Sequence, residues 1–288
     1  MYHKTYRANH YKKHHMKAIL VPVDFSSTSL NAASYALHYA KQVGGKLMLV
    51  HAYEQPLILP LYQGIEVSPE HMREIKKKEL QLLANQLTEL GPLVKIEQLL
   101  FDGKLVDVIQ DLTEVLQIAF IVMGITGAGK AREALIGSNT LSISKHCKVP
   151  VLIVPENAVF TKINDIGLTT DFRDVVRTIP DDRVKELVEA TGARLHVLNV
   201  DFKNRQWTSD TPFQSGLVET MFEHYHPQYH FIDKEDMVDG LNEYANKYSI
   251  EMLLVIPQKH NLLERIFAGS HTKELVFHSD VPVMVMHA

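Results

Sequence analysis

The sequence predicts an α/β protein built from two tandem, doubly wound parallel-sheet domains. Three observations support this fold class: short apolar segments rich in β-branched residues, helical patterns between them, and a repetition of the whole plan in the second half. Strands that are apolar on both faces and alternate with helices are typical of a parallel sheet covered by helices on both sides. Right-handed crossovers between such strands produce the doubly wound arrangement.

The elements of the first half follow one another in the order that this fold requires. The apolar segment AILVPVD at 18–24 predicts the first strand, and Ser26 and Ser27 after it are suitable N-caps for a helix. An apolar face of helical period then runs from Leu30 to Val43 and ends at Gly44–Gly45. The remaining predictions are strands at 46–53, 94–101, 119–124 and 149–155, and helices at 69 to about 90, near 105–117 and near 138–147.

The second half repeats the first. DIGLTTDF aligns with ILVPVDF, which places Asp171 opposite Asp24, and RLHVLNV aligns with KLMLVHA. A glycine follows each aspartate 21 residues later, Gly45 in one half and Gly192 in the other. Both halves close with the spacing G-S-x-T-x8-V-P-V. A spacing shared over such a length indicates an internal repeat, and therefore two copies of one domain.

The predicted domain organisation has three parts. Residues 1–15 are basic and lack helical or strand periodicity, which predicts a disordered tail. The first domain extends over 16–155 and the second over 156–288, because the first copy of the repeat closes with VPVLIVP and the second begins soon after it.

Composition and charge limit the classes of protein that the chain can represent. Hydrophobic residues make up 45% and charged residues 22%, which is typical of a globular protein with a substantial core. The net charge of −4 gives no indication of a nucleic-acid partner, and no apolar segment approaches the roughly 18 residues of a membrane span. A single cysteine, Cys147, is typical of a reducing compartment, so we expect a cytoplasmic protein.

The segment GITGAGK, from Gly124 to Lys130, nearly reproduces a P-loop. A P-loop requires Ser or Thr directly after its lysine, because that hydroxyl holds Mg²⁺, and here the position is Ala131. The segment also follows the fourth predicted strand of its domain, whereas a P-loop follows a strand near the start. These departures disfavour a P-loop NTPase.

A different glycine pattern fits the same segment. Gly124, Gly127 and Gly137–Ser138 give the spacing G-x2-G-x9-G-S. Together with Asp24 at the end of the first strand and His51–Ala52 at the end of the second, this pattern resembles the nucleotide-binding branch of the universal stress protein family. The resemblance covers both halves and implies two tandem Rossmann-like domains. The function it implies is a stress response through nucleotide-dependent conformational change or partner binding.

The resemblance implies that ATP or a related adenine nucleotide, with or without Mg²⁺, binds to the first domain. The implied contacts are Pro22, Val23, Asp24, Ala52, Met123, Gly124, Ile125, Thr126, Gly127, Ala128, Gly129, Lys130, Gly137, Ser138, Asn139 and Thr140. Those on the first two strands would border the adenosine, and the glycine segment would wrap the phosphates. The last three would bind phosphate from a helix start, where free N–H groups and the helix dipole favour anions. The alternative for Asp24 is a helix cap without a ligand.

The second domain departs from this pattern. Pro257 aligns with Gly124, and His260 aligns with Gly127. Proline has no N–H to offer an anion, and a side chain in place of glycine restricts the turn, so we expect no ATP in the second domain. The closing strands VPVLIVP and VPVMVMH are predicted edge strands, and in the family such strands pair two domains, which implies an internal pseudo-dimer. A homodimer of the whole chain is an alternative.

Three other hypotheses stay open. The first is slow ATP hydrolysis or self-phosphorylation, for which no catalytic residue can be assigned. The second is an interaction protein that binds no nucleotide. The third is a zinc site at His224, His226 and His230, where no carboxylate or cysteine stands at a recognisable metal spacing. Aromatic packing at the surface is the simpler interpretation of that cluster.

Overall fold

The computed structural model describes residues 18–54, 68–125, 138–204, 207–256 and 281–288. Within these ranges the strands are β1 (Ala18–Pro22), β2 (Lys46–Tyr53), β3 (Ile96–Asp102), β4 (Ile118–Ile125), β5 (Val151–Pro155), β6 (Asp165–Thr169), β7 (Arg194–Val200), β8 (Gln228–Ile232), β9 (Met252–Val255) and β10 (Val283–Val285). The α-helices are α1 (Ser27–Val43), α2 (Pro69–Leu90), α3 (Leu105–Val115), α4 (Ser138–His146), α5 (Val175–Thr178), α6 (Asp181–Thr191), α7 (Thr211–Phe222) and α8 (Met237–Tyr248).

All the described strands belong to one sheet, in the order β3-β2-β1-β4-β5-β10-β9-β6-β7-β8. Each half contributes five strands in the same internal order, so the predicted α/β class with tandem doubly wound domains is confirmed. β5 and β10 pair antiparallel, with Val283 opposite Ile153, and the other recorded pairs are parallel. β5 and β10 are the outer strands of their own halves, in agreement with the predicted edge strands, and they pair with each other, so β3 and β8 are the outer strands of the described sheet.

Helices cover both faces of the sheet and enclose two apolar cores. One core lies beneath α1, α2, α6 and α7, and it contains buried side chains of both halves. The other core lies beneath α3, α4 and α8. Strands buried on both faces explain the continuous apolar segments of the sequence. None of the helices in the described ranges combines the length and the apolar character that a membrane crossing needs.

Local sequence determines where α1 begins and ends. Ser26 is the N-cap, and its side chain accepts a hydrogen bond from the Ser29 amide. Gly44 ends the helix in the left-handed conformation, with a φ of 71°, which glycine adopts at little cost. Gly192 ends α6 in the same conformation. Gly44, not Gly45, is therefore the structural counterpart of Gly192, because these two glycines are the left-handed C-caps of α1 and α6.

The first strand of each half ends earlier than its apolar pattern predicts. β1 ends at Pro22, and Phe25 then turns the chain with a φ of 66°. β6 ends at Thr169, and Phe172 turns the chain with a φ of 54°. Residues other than glycine rarely adopt positive φ, so the same unusual turn at the same place in both halves is a structural repeat that the sequence alignment alone did not disclose.

Gln42, near the end of α1, joins the two halves through its side-chain amide. Its Nε2 donates to the carbonyl oxygens of Ile163 at 2.9 Å and Thr191 at 3.0 Å, and its Oε1 accepts from the Ile163 amide at 2.9 Å. Both partners belong to the second half, so one side chain satisfies three backbone groups across the boundary.

We expect Gln42→Ala to lower the free energy of unfolding by about 2–3 kcal/mol, because a hydrogen bond contributes about 1 kcal/mol and three are lost. Urea denaturation would measure the change. Gln81→Ala is the control, because Gln81 bonds to Asn85 on the exposed face of α2 and the loss of this bond should change stability little. Equal stability of the two variants would contradict a joining role for Gln42.

Candidate functional site

The carboxyl ends of β2, β1 and β4 lie side by side in the sheet, and the predicted binding residues gather there. Pro22 ends β1 and Val23 and Asp24 follow it, Ala52 lies near the end of β2, and 123–125 form the end of β4. The chain leaves β1 toward β2 on one side, whereas β4 flanks β1 on the other side. Such a change of direction is the switch point at which doubly wound sheets bind ligands.

Asp24 organises the turn between β1 and α1. Its Oδ1 accepts hydrogen bonds from the Ser26 amide at 3.0 Å and from the Ser26 hydroxyl at 2.5 Å. Burial alone would raise the pKa of Asp24, but the hydrogen bonds from Ser26 and Ser29 outweigh burial and lower this pKa below its usual value. Asp24 is therefore an ionised, exposed carboxylate, and it supports the N-cap Ser26 instead of capping α1 itself.

His51 holds this turn against the end of β2. Its Nδ1 donates to the carbonyl oxygen of Val23 at 2.7 Å, and its ring packs against Phe25 at a centroid distance of 4.7 Å. Burial lowers the pKa of His51, so the ring is neutral near pH 7 and its Nε2 carries a lone pair. This Nε2 is buried with no hydrogen-bond partner among the described residues. The sequence pointed to His51 as part of a family pattern but not to its positioning of Val23.

The second half contains an equivalent hydrogen bond from a side chain to a backbone carbonyl, made by a different residue. Asn199 occupies the position in β7 that His51 occupies in β2, and its Nδ2 donates to the carbonyl oxygen of Thr170 at 2.9 Å. Thr170 in turn corresponds to Val23, since each follows the first strand of its half by one residue. A side chain from the second strand thus fixes the same backbone carbonyl in both halves. The alignment of RLHVLNV with KLMLVHA already places Asn199 opposite His51, but it does not show that both side chains bind this carbonyl.

Gly124 lies against the first turn of α1. A Cβ atom at this position would stand 2.2 Å from the carbonyl oxygen of Thr28 and 3.2 Å from the amide nitrogen of Ser29. Only glycine permits this approach, and φ at Gly124 is not in the left-handed region. The first glycine of the sequence pattern therefore has a packing reason in addition to any contact with a ligand.

Thr140 joins α4 to the end of β4. Its side chain is buried, and its hydroxyl donates to the carbonyl oxygen of Gly124 at 3.2 Å. Asn139 is exposed beside it, and α4 begins at Ser138 with no acidic residue in its first turn. The two ends of the glycine segment are thus held together. The predicted contacts from 126 to 137, which include Thr126, Gly127, Ala128, Gly129, Lys130 and Gly137, lie outside the described residues.

The second half differs at the corresponding turn. Asp171 binds the Arg173 amide through Oδ1 at 3.0 Å, and a single helical turn, α5, follows it. The long helix α6 begins only at Asp181, so Asp171 does not support the start of that helix as Asp24 supports the start of α1. Pro257, His260 and the second G-S-x-T segment lie outside the described residues.

The histidines of the candidate zinc cluster face different surroundings. The His224 side chain is 89% exposed, whereas the His230 ring packs against the buried His196 ring at a centroid distance of 5.5 Å. Burial, and then the neighbouring His196, lower the pKa of His230. Within the described ranges, no three His, Cys, Asp or Glu side chains are grouped so that they could hold a metal ion.

Comparison with known proteins identifies the family. The sequence matches the universal stress protein family over residues 15–155 and again over 181–287, which together are most of the chain. The chain belongs to the universal stress protein family. Its two matched segments are the two halves seen in the structure, so this universal stress protein has a tandem arrangement.

Individual universal stress proteins resemble either one half or the whole chain. A universal stress protein of Methanocaldococcus jannaschii is 30% identical over 140 residues, which are 48% of this chain and 81% of that protein. Universal stress protein YxiE of Bacillus subtilis is 29% identical over 145 residues, or 47% of this chain and 97% of that protein. A solved universal stress protein from Archaeoglobus fulgidus covers 94% of this chain and 98% of its own, with a TM-score of 0.66 at 20% identity, which is a likeness of fold.

Proposed function

We propose that this universal stress protein binds ATP or a related adenine nucleotide in its first half and acts through conformational change or partner binding. The observation that carries the proposal is the arrangement at the switch point. Gly124, the first residue of the G-x2-G-x9-G-S pattern, ends β4, and the Thr140 hydroxyl holds the start of α4 against it at 3.2 Å. The strand end and the helix start on either side of the glycine segment are thus joined by this hydrogen bond.

The residues at this edge fit the chemistry of a nucleotide. The start of α4 has no acidic side chain in its first turn, so its N–H groups and dipole favour a phosphate. Asp24 is an ionised acceptor suited to ribose hydroxyls, because a carboxylate accepts strong hydrogen bonds. Ala52, which is half-buried, offers apolar surface for the adenine ring, and Val23 is buried at the same edge. A bound nucleotide would bring negative phosphate charge to the start of α4, and the residues of this edge would hold the nucleotide in position.

A single site per chain follows from the differences between the halves. The second half offers Pro257 and His260 where the pattern requires glycines, and it lacks the Asp24-type support at the start of its long helix. The antiparallel pairing of β5 with β10 further supports an internal pseudo-dimer in which the second half is a structural partner.

Isothermal titration calorimetry with ATP, with and without Mg²⁺, tests the proposal. We expect one site per chain. Gly137→Asp should abolish binding, because it places a carboxylate where the phosphate would lie, and the matched change Gly269→Asp in the second half should leave binding intact. Asp24→Asn should weaken binding roughly tenfold by removing a charged acceptor.

Three outcomes would change the conclusion. Two sites per chain would contradict the assignment of the second half. An equal effect of Gly137→Asp and Gly269→Asp would contradict the phosphate position. No binding to folded wild-type protein would favour a protein that acts by interaction alone. Phosphate release, followed in the same samples, would distinguish binding from slow hydrolysis.

A further inference from the structure

A cavity lies at the edge of the sheet opposite the candidate nucleotide site, between the two halves. Its volume is about 580 Å³, and it is lined by the amino ends of β1, β2 and β4, by α1, and by α6 and β10 of the second half. Ala18, Lys46 and Ile118 mark the strand starts on this edge. It is therefore separate from the candidate nucleotide site, which lies at the carboxyl ends of the same strands.

The size and position of this cavity are those of a small-molecule site. Ligand pockets have volumes of roughly 300–1,000 Å³ and occur preferentially at domain interfaces. The inner walls are apolar and combine both halves, since Met48 and Phe120 come from the first and Met284 and Met286 from the second. Methionine side chains are flexible and polarisable, so such walls adapt to a ring or a branched chain.

The charged lining residues are two cations, Lys46 and Arg183, and two carboxylates, Glu97 and Glu186, and Lys95, which is not part of the lining, also binds Glu97. Lys46 and Lys95 both bind the carboxylate of Glu97, at 3.2 Å and 2.7 Å, so two ammonium groups share one negative charge. Arg183 donates through Nη1 to the Lys148 carbonyl at 2.7 Å, which is a neutral acceptor. Glu186, one helical turn after Arg183 on α6, is the second carboxylate of the lining.

We propose that this cavity binds a small amphipathic organic anion, with Arg183 binding the carboxylate or sulfonate group and the methionine and phenylalanine walls holding the apolar part. A planar guanidinium forms paired hydrogen bonds with such groups, and an apolar body excludes water from them. Because both halves line the cavity, the ligand contacts both and stabilises their association. The proposal is independent of the nucleotide proposal.

Fluorescence titration of the full chain with anilinonaphthalene sulfonate, an aromatic sulfonate, tests this inference. We expect saturable binding to one site that excess ATP does not displace. Ala190→Trp should abolish it, because Ala190 is a half-buried lining residue of α6 and an indole there would fill the cavity. Glu89→Trp, on the exposed face of α2, is the matched control and should leave binding unchanged.

Charge variants test the ligand class. Arg183→Gln should weaken binding of the sulfonate roughly tenfold, and Glu186→Gln should strengthen it, because the first removes a cation from the rim and the second removes an anion. Circular dichroism and unfolding midpoints would establish that each variant is folded. Binding that Ala190→Trp leaves intact, or displacement by ATP, would overturn the site. Equal binding of uncharged phenylnaphthylamine would overturn the preference for an anion.

Discussion

Gly124→Ala should lower the free energy of unfolding by about 3 kcal/mol, at the upper end of the range for an inserted methyl group. The added Cβ would lie 2.2 Å from the Thr28 carbonyl oxygen, and a backbone atom in a helix cannot rotate away as a flexible side chain can. The start of α1 must move instead. Urea denaturation followed by circular dichroism would measure the loss.

The same substitution should also weaken nucleotide binding if the proposed function holds. Thr28 and Ser29 belong to the turn in which Ser29 and Ser26 bond to Asp24, so a displaced α1 moves the carboxylate. Gly216→Ala is the control, because nothing lies within 4 Å of a Cβ at Gly216 in α7. Alanine is the better helix former by about 0.5–1 kcal/mol, so this control should be more stable than the wild type. If both substitutions changed the free energy of unfolding in the same direction, the explanation by a clash between the Gly124 Cβ and Thr28 would be contradicted.

Asp165→Ala should cost the second half about 2–3 kcal/mol of stability. Asp165 is buried at the start of β6, and its two oxygens accept from Nε and Nη2 of Arg194 at 2.7 Å each and from Nε2 of His196 at 2.8 Å. Removing one partner of a buried charge pair costs roughly 3–5 kcal/mol. We expect a smaller loss of stability because the Arg194 side chain is 68% exposed, so water can solvate its guanidinium once the carboxylate is removed. Chemical denaturation of the full chain would measure the difference.

The pH dependence of this loss has a definite sign. Burial alone would raise the pKa of Asp165, but the hydrogen bonds and charges of Arg194 and His196 outweigh burial and lower the pKa below its unfolded value. The stabilisation is thus complete at neutral pH and disappears as the pH falls below about 4, through the native pKa. Wild type and Asp165→Asn should therefore converge in stability in acid.

A surface carboxylate provides the control for the Asp165 variants. Glu243 is 63% exposed and pairs with Lys234 at 2.7 Å, so Glu243→Ala should leave the unfolding midpoint nearly unchanged at every pH. The difference in the free energy of unfolding between wild type and Asp165→Asn should shrink in acid. If this difference stayed constant from pH 7 to acid, the shape of Asp165 and not its charge would be what stabilises the protein.

Much of the fold was predictable because its signals are local. The limits of β2 and α2 in the structure agree with the predicted ranges, 46–53 and 69 to about 90. The repeat was visible as matched spacings. The position of Asp24 and Gly124 at one edge also followed from the sequence, because the carboxyl ends of parallel strands meet at the same side of a sheet.

The candidate site was predictable as a location but not as a geometry. Spacing pointed to Gly124 and Thr140 as possible phosphate contacts, but only packing showed that the glycine accommodates α1 and that the Thr140 hydroxyl bonds to Gly124. Likewise, the alignment places Asn199 opposite His51, but only the structure shows that each side chain donates to the carbonyl after the first strand of its half.

The sequence by itself determined the order of strands and helices in the first half, the division of the chain into two copies, and the edge of the sheet at which glycine, aspartate and a helix start converge. Periodicity, caps and strand polarity depend on neighbouring residues, so they can be inferred without a structure. Only the tertiary structure decided the direction and register in which β5 pairs with β10, the bridge that Gln42 makes between the halves, and the cavity between α1 and α6. These features depend on contacts between residues more than 100 positions apart, whose pairing and register no local pattern records.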